Sequence, residues 1–289
     1  MTYRIQSKRP VHYRLQRALG EFAKYAALSI ISVFFLIPWA WMLSTSLKNP
    51  QELSVYPPVW IPHPIRWDNF AIALSRSGFA KYVGNTLRIA ALTVLGAVLS
   101  NSTVAYSTSI LRWKGQNVLF ALILATMMLP GAVTFIPLYV IFRHLGWLNT
   151  FRPLIVPAFF GNAYFIFLLR QFFLTLPPEL ADAARIDGCS DLGILWRIIL
   201  PLSRPALAVI ALFQFIGSWN DYFGPLIYLS DENKYTVALG IANMRTAYGL
   251  INFAWVMAAT TMSVAPIVIL FFFAQRTFIQ GISLTGLKQ

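Results

Sequence analysis

Residues 25–47 have the sequence YAALSIISVFFLIPWAWMLSTSL, a stretch of 23 residues without a charged side chain. A helix needs about 20 mostly apolar residues to cross the hydrocarbon core of a bilayer. The stretch is too long for the apolar part of a cleaved signal peptide, and no small-residue cleavage site follows it. It therefore predicts a membrane-spanning helix near the start of the chain.

The composition of the whole chain agrees with this prediction. Of 289 residues, 57% are hydrophobic and only 11% are charged, whereas soluble domains are about 45–50% apolar and about 25% charged. Disordered chains are poor in apolar and aromatic residues, so disorder is excluded. The apolar runs are long and continuous rather than alternating, which favours helices over a membrane β-barrel. The predicted class is an all-α integral membrane protein.

Six stretches are long and apolar enough to span a membrane. The fourth reaches sufficient length only by including Arg170, and the fifth only by including Asp221. The predicted spanning helices are 22–46, 84–109, 116–142, 151–175, 203–229 and 252–278.

The positive charges give the expected orientation. With six spans, 14 Lys and Arg residues lie on the side of the two termini, eight lie on the other side, and Arg88 lies in the second span, from which it is expected to snorkel outward. Cytoplasmic segments are enriched in Lys and Arg, so both termini are predicted to be cytoplasmic. Residues 1–21 form the predicted basic N-terminal arm. The net charge of +13 therefore indicates orientation rather than nucleic-acid binding.

Residues that would support a metal site or a catalytic site are scattered along the chain. The three His residues lie in the N-terminal arm and the outer loops, and the single Cys189 excludes an intrachain disulfide. We find no credible Ser-His-Asp or paired-carboxylate arrangement at one membrane depth. The sequence thus predicts neither a metal site nor an enzyme active site. The three histidines are His12, His63 and His144.

The outer loop over residues 47–83 is long and contains Trp60, Trp67 and several prolines. One interpretation is an ordered connector with aromatic side chains at the membrane interface. The other is a segment that packs over the outer mouth or contacts an external partner.

The cytoplasmic segment 176–202, between the fourth and fifth spans, contains a short predicted helix. Pro178 suits a first helical turn, Glu179 favours the positive end of the helix dipole, and Gly188 suits a left-handed C-terminal cap. These signals predict a helix over 178–187. The residues expected on one stripe of it are Leu180, Ala183, Ala184 and Asp187.

A rigid helix in this place has two interpretations. It can lie on the membrane surface as an amphipathic helix, or it can dock into another protein. The stripe has no Trp or Phe, and the helix has three acidic residues against one arginine, which anionic lipid would repel. These features favour docking to a protein.

The same segment resembles the EAA motif of permease subunits of ABC importers. Asp182-Ala183-Ala184 stands in place of Glu-Ala-Ala, Gly188 follows at the family spacing, and Ile198-Ile199-Leu200-Pro201 matches the ending. The departure is Asp182, which keeps the charge of the usual Glu but reaches one methylene less far. As a set, these positions are specific because they agree at fixed spacing.

Further motifs are similar to the MalG-like branch of carbohydrate importers. They are Asn85-Thr86-Leu87, Trp219-Asn220-Asp221-Tyr222 and Arg276-x-Phe278-x-x-Gly281, and the resemblance covers nearly the whole chain from about residue 25.

The resemblance implies a complete architecture and a set of partners. Residues 22–289 would be the transmembrane domain of an importer, with six helices, a cytoplasmic coupling helix and a short cytoplasmic tail, in a bacterial or archaeal inner membrane. A second permease subunit would complete a heterodimer, two cytoplasmic subunits would hold ATP and Mg, and an extracytoplasmic solute-binding protein would deliver a carbohydrate or related polyol. The residues implied for contact with a nucleotide-binding subunit are Glu179, Leu180, Asp182, Ala183, Ala184, Asp187 and Gly188.

The chain itself has no G-x-x-x-x-G-K-[ST] phosphate loop and no soluble stretch long enough for such a domain. We therefore expect no cofactor bound by this chain and no enzymatic activity of its own. Energy from ATP must enter through a protein contact.

An ionisable residue within a span is a functional candidate, and Asp221 is the clear case. The neighbouring amides and aromatic rings suit a sugar, whose hydroxyl groups and flat faces they match. The alternative is polar packing between helices. The candidate pathway residues are Gln214, Trp219, Asn220, Asp221 and Tyr222.

Two other functions remain open on the residues alone, a self-sufficient secondary transporter and an intramembrane lipid-modifying enzyme. The first commonly has internal repeats and several midplane charges, and the second needs His, Asp or Cys residues converging at one interface. A stable complex with an ATPase and a second permease distinguishes the importer from both.

Overall fold

A computed structural model describes residues 11–75, 78–248 and 253–286, and side chains within 19–75, 78–244 and 253–275. Residues 1–10 of the predicted basic arm and 287–289 of the predicted tail lie outside the described residues. Within that part of the chain, all regular structure is helical. The α-helices are α1 (Val11–Ser46), α2 (Asp68–Ser75), α3 (Phe79–Ser109), α4 (Gln116–Thr126), α5 (Gly131–His144), α6 (Arg152–Ile155), α7 (Ala163–Phe173), α8 (Glu179–Ile186), α9 (Asp191–Ile194), α10 (Leu200–Leu202), α11 (Arg204–Asn220), α12 (Phe223–Tyr228), α13 (Val237–Tyr248) and α14 (Phe253–Gly286).

Among the described residues, four helices are long and apolar enough to cross a membrane, and two bent helix pairs bring the number to as many as six. This confirms an all-α, multi-pass membrane architecture, whereas the count of six stays a prediction. The four are Leu19–Ser46, Phe79–Ser109, Arg152–Phe173 and Phe253–Gln275.

The first helix starts earlier than predicted. The expected start was residue 22, but α1 already begins at Val11. No proline occurs between Val11 and Pro38, so no residue in this stretch lacks the backbone N–H that a helix needs. The second half of the predicted basic arm is therefore helical.

The third predicted span is not one continuous helix. Between α4 and α5 the chain turns at Met127–Leu129 and bends by 96°. Pro130 has extended backbone angles, φ −60° and ψ 132°. Proline disfavours helical geometry in the residue before it and donates no backbone hydrogen bond, which explains the break.

The fourth and fifth predicted spans are also interrupted. Gly161, with φ 90°, separates α6 and a following 3₁₀ turn from α7. The predicted fifth helix over 203–229 is wrong as a single helix, because α11 ends at Asn220 and α12 begins at Phe223.

A second cytoplasmic helix follows α8 along the chain. It begins at Asp191, continues through a π-helical turn over Leu195–Ile199, and ends at Leu202. An 83° bend at Ser203 then leads into α11. Pro201 follows the π-helical turn and lies one residue before the end of this helix.

Helix α3 lies at the centre of the bundle and packs against α7, α11 and α13, while α14 packs against α1, α2 and α11. Two apolar clusters hold these helices together. The inner one, toward the side predicted to be cytoplasmic, includes Leu169, Phe173 and Ile199. The other includes Tyr82 and Trp219.

Candidate coupling site and membrane-embedded polar residues

The short helix predicted over 178–187 is present as α8, it has a well-defined end, and its coupling role stays a prediction. Gly188 adopts φ 79°, its N–H donates to the Arg185 carbonyl at 3.0 Å, and the Cys189 N–H donates to the Ala184 carbonyl at 2.9 Å. This pair of bonds is a Schellman motif, which requires a left-handed residue at Gly188 and pairs two carbonyls of the last turn. The C-terminal end of α8 is thereby fixed in direction.

One face of α8 packs inside the protein. Ala181 is 3% exposed and Ala184 is 8% exposed, and both belong to the inner apolar cluster with Leu169, Phe173 and Ile194. The small alanine side chains let α8 pack against this cluster, and α9 is the helix that it contacts most. The four residues predicted to share one stripe therefore do not all face the same way, because Ala184 faces the chain's own core.

The opposite face of α8 is free in this chain. Ile186, the most exposed of its apolar side chains, is 87% exposed, and Leu180 is 39% exposed. The remaining exposed residues of the predicted set are Glu179, Asp182, Ala183, Asp187 and Gly188. An apolar, acidic surface thus projects from a helix that is anchored on its other side.

Arg185 ties α8 to α9. Its Nη1 donates to Asp182 Oδ1 at 2.9 Å, and its Nη2 donates to Asp191 Oδ1 at 3.3 Å. The hydroxyl of Tyr106 in α3 donates to the same Asp191 oxygen at 3.5 Å. Burial alone lowers the pKa of Arg185, but the hydrogen bond and charge of Asp191 outweigh this effect and raise the pKa above its usual value. Arg185 therefore stays charged and connects the two short helices.

Asp182, which stands where the family pattern usually has Glu, has polar contacts within this chain. It bonds Arg185 within its own helix, and its Oδ2 lies 4.0 Å from Arg112 Nη2 in the loop after α3. Beside this group a cleft of about 600 Å³ opens between the loop and α9. Its lining residues are Ser107, Leu111, Arg112, Trp113, Arg185 and Asp191.

The candidate pathway residues have different surroundings in the structure, and some are buried while others are exposed. Trp219 is 2% exposed, stacks on Phe215 at a centroid distance of 5.6 Å, and donates its Nε1–H to the Ser263 carbonyl at 3.0 Å. It is a buried packing residue between α11 and α14. Its burial favours the alternative of packing between helices over a sugar contact, and the sequence did not show which face of α11 the ring occupies.

Gln214 is half-buried and belongs to a polar contact between α11 and α3. Its Nε2 donates to Ser218 Oγ at 3.3 Å, and that hydroxyl lies 2.8 Å from Thr93 Oγ1. Gln214 and Asp221 were expected on one helical face, but α11 ends at Asn220 and Asp221 has extended backbone angles. Asp221 therefore lies just beyond the end of α11, and its common face with Gln214 stays a prediction.

Asp221 caps the start of α12. Its Oδ1 accepts the Gly224 N–H at 3.0 Å, and a Cβ added at Gly224 would lie 2.5 Å from Asp221 Oδ2, so a larger residue there would displace the carboxylate. Asn220 is exposed and Tyr222 is 43% exposed. Of the candidate set, these two side chains remain available to a ligand.

Comparison with known proteins places this geometry in a family. The family described as "Binding-protein-dependent transport system inner membrane component" matches residues 93–284, which include α8 and the break after α11. The chain belongs to this family.

Similar proteins cover nearly all of the chain. The arabinooligosaccharides transport system permease protein AraQ of Halalkalibacterium halodurans is 35% identical over 92% of this chain and 94% of its own length. The sn-glycerol-3-phosphate transport system permease protein UgpE of Yersinia enterocolitica is 32% identical over 92% and 97%. A crystal structure of a bacterial ABC transporter that imports the acidic polysaccharide alginate is 26% identical, with a TM-score of 0.81 over 93% of this chain and 99% of that one.

The chain is accordingly a multi-pass ABC importer permease subunit and not an enzyme. The two alternative functions, a secondary transporter and an intramembrane lipid-modifying enzyme, do not agree with this family. The EAA-like segment is the sequence feature that identified it.

Sequence reasoning missed one residue at the inner side of this permease. Arg170 Nε donates to the Thr108 carbonyl near the end of α3 at 2.9 Å, and its guanidinium lies 4.1 Å from the centre of the Phe120 ring in α4. It thus joins α3, α4 and α7 next to the cluster that holds α8. Its position in an otherwise apolar span was the available signal, since cations favour helix C-termini.

Proposed function

We propose that this chain is one of two permease subunits of an ATP-driven importer of a carbohydrate or related polyol. The observation that carries the proposal is α8, a short helix that is anchored to the bundle through Ala181 and Ala184 and exposed on its other face. Two nucleotide-binding subunits hold ATP and Mg, one of them receives α8, and an extracytoplasmic binding protein delivers the substrate. Both termini lie in the cytoplasm.

The exposed face of α8 suits a docking partner rather than a lipid surface. Its acidic residues, Glu179 and Asp187 among them, are repelled by the anionic inner leaflet. The partner cleft that fits it is apolar at its base, for Leu180 and Ile186, and basic at its rim.

The mechanism requires α8 to transmit a modest free energy. Reversing a two-state preference from about 1:99 to about 99:1 takes about 5.5 kcal/mol of differential binding. A flexible loop would absorb such a displacement, but α8 is held by the Schellman motif, by Arg185 and by two buried alanines. Movement of α8 is therefore passed to α3 and α7.

The carbohydrate class rests on the relatives, whose names refer to arabinooligosaccharides and glycerol-3-phosphate. In this chain, Asn220 and Tyr222 offer an amide and an aromatic ring beside the break after α11. An amide pairs with sugar hydroxyl groups and a ring packs on a sugar face, so these two residues are the proposed substrate contacts.

The test is reconstitution of the chain in proteoliposomes with its co-expressed permease partner, ATPase and binding protein. We expect uptake of an oligosaccharide or polyol that needs ATP on the α8 side and binding protein on the other. Uptake driven by an ion gradient without ATP, or purification of this chain without an ATPase, would contradict the proposal. Transport of a substrate that is neither sugar nor polyol would overturn the substrate class alone.

A further inference from the structure

The segment 47–67 after α1, here called the outer loop, is closed at its base by hydrogen bonds. The Arg66 N–H donates to the Leu47 carbonyl at 2.9 Å. Asn69 Nδ2 donates to the carbonyls of Ser46 and Lys48 at 2.9 and 3.0 Å, and its Oδ1 accepts from Trp255 Nε1 of α14 at 3.2 Å. The loop therefore has a defined position at the end of the bundle.

The outer loop folds back alongside the end of α1. Trp60 packs edge-to-face on Trp41 with ring centroids 4.9 Å apart, and the Ser44 hydroxyl donates to the Trp60 carbonyl. Trp41 lies five residues before Ser46, which corresponds to about 7.5 Å along the helix. The tip of the loop is thus placed at the depth of the last turns of a membrane span.

The charged groups of the outer loop have partners within the protein. Lys48 is 2% exposed, with its Nζ 3.8 Å from the centre of the Trp41 ring. Glu52 accepts the backbone N–H groups of Asn49 and His63 at 3.0 and 2.9 Å. Arg66 at the base forms an ion pair of 2.5 Å with Asp68 of α2.

The side chains that remain exposed are mostly apolar or aromatic. Tyr56 is 92% exposed, and Ile61 and Trp67 are each 67% exposed. The others are Val55, Trp60 and Ile65, between 48% and 56% exposed. An outward surface of this size without unpaired charge is poorly suited to water.

We propose that the outer loop lies in the headgroup region of the bilayer and binds lipid. Three observations favour lipid over a protein. The exposed set contains Trp and Tyr, which concentrate at membrane interfaces. Its exposed charges at the edge, Arg66 and Asp68, pair with each other instead of forming the open polar rim that surrounds contacts between soluble proteins. It is also continuous with the exposed apolar surface of α1, where Phe34 and Phe35 are 69% and 73% exposed.

The inference depends on α1 crossing the membrane and not on the proposed substrate. The loop then fixes the depth and tilt of the outer end of α1, as interfacial aromatic residues do for other spans. Because Asn69 and Trp255 link its base to α14, the same anchor sets the depth of the outer half of the bundle.

The test places a spin label on the outer loop in the assembled complex in phospholipid nanodiscs. Cys189 is first replaced (Cys189→Ser), in a complex whose other subunits lack accessible cysteines, and Ile61→Cys and Ile65→Cys are then labelled separately. Relaxation by oxygen, which concentrates in lipid, is compared with relaxation by a water-soluble nickel chelate. Phe34→Cys in α1 is the lipid control, and Ser230→Cys, an exposed residue after α12, is the water control.

We expect both loop labels to resemble Phe34→Cys, with oxygen accessibility exceeding nickel accessibility by several-fold. Labels that resemble Ser230→Cys would overturn the proposal and leave the loop in water or free for the binding protein. Labels that are immobilised and shielded from both reagents would also overturn it, because the loop would then be covered by a protein subunit. Loss of uptake in the proteoliposome assay does not bear on this result, so the two proposals fail separately.

Discussion

Gly188 shows how one residue fixes the direction of α8, the proposed coupling helix. At φ 79°, a residue with a Cβ is strained whatever space surrounds it, and Gly188 has no neighbour within 4 Å of the position a Cβ would take. The strain is therefore purely a backbone effect, of about 1–2 kcal/mol for a residue held in this region. From the sequence, Gly188 was predicted to cap the C-terminal end of the helix over 178–187.

Gly188→Ala is expected to change the orientation of α8 and so to lower the amount of substrate transported per ATP several-fold. The matched control is Gly146→Ala, since Gly146 also has open space and a left-handed φ of 67° but follows α5 on the other side of the membrane. Uptake and ATP hydrolysis are measured together in proteoliposomes. Equal coupling in the two variants would show that α8 does not carry the signal.

Arg185 has a different role, because it holds together two helices through contacts that are partly open to solvent. Exposed ion pairs are worth about 0–1 kcal/mol, so Arg185→Gln is expected to lower thermal stability only slightly. It is expected to reduce uptake strongly, since Asp182 and Asp191 then lose their common partner. Thermal unfolding and uptake are the two measurements.

Arg185→Lys provides the graded comparison. Lysine keeps the charge but lacks the planar fork that reaches both carboxylates, so an intermediate uptake rate is expected. Full uptake by Arg185→Gln would mean that the bridge between α8 and α9 is not needed.

At the scale of elements, the sequence predicted α8 to within one residue at each end, but it did not predict which face is free. Helical spacing places Ala183 and Ala184 side by side on one stripe, and only the packing of Ala184 against the inner cluster distinguishes them. The same substitution at Ala183 and at Ala184 is therefore expected to have different effects.

Ala183→Leu and Ala184→Leu form a matched pair with opposite expected effects. On the exposed face, Ala183→Leu is expected to change stability by less than about 0.5 kcal/mol while blocking close docking of the ATPase. In the core, Ala184→Leu is expected to destabilise the subunit by about 1–3 kcal/mol through overpacking. Co-purification of the ATPase and thermal unfolding separate the two effects, and a normal complex with Ala183→Leu would contradict docking through this face.

The long α1, α3 and α14 were found as predicted spans because an uninterrupted apolar run leaves few alternatives in a membrane. The broken elements were missed for local reasons. Pro130 interrupts the helix after α4, Gly161 interrupts it before α7, and the Asp221 side chain starts a new helix at α12. Each residue was visible in the sequence, but proline and glycine also occur inside intact spans.

At the scale of the whole molecule, variants of the candidate pathway residues test where the substrate passes along the subunit. Asn220→Ala is expected to lower uptake about 2–10-fold at a fixed concentration of loaded binding protein, because one hydrogen bond is worth about 0.5–1.5 kcal/mol. The stability of the subunit should not change, since Asn220 is exposed.

Trp219→Phe is the control from the same motif. It removes the hydrogen bond to Ser263 within the protein, so it is expected to lower thermal stability by about 1 kcal/mol and to leave the concentration dependence of uptake unchanged. If Trp219→Phe changed that concentration dependence and Asn220→Ala did not, the pathway would lie on the other face of α11.

The sequence by itself determined the membrane class, the predicted orientation, the short helix α8 and the family resemblance. These features depend on composition, on charge asymmetry and on short-range signals such as Pro178 and Gly188, all of which act within a few residues of one another. Only the tertiary structure decided that Trp219 and Ala184 face inward, that Arg185 bridges two helices, and that the outer loop folds back onto Trp41. Those outcomes depend on which distant segments pack together, and helical periodicity cannot distinguish a face that meets another helix from one that meets lipid or a partner subunit.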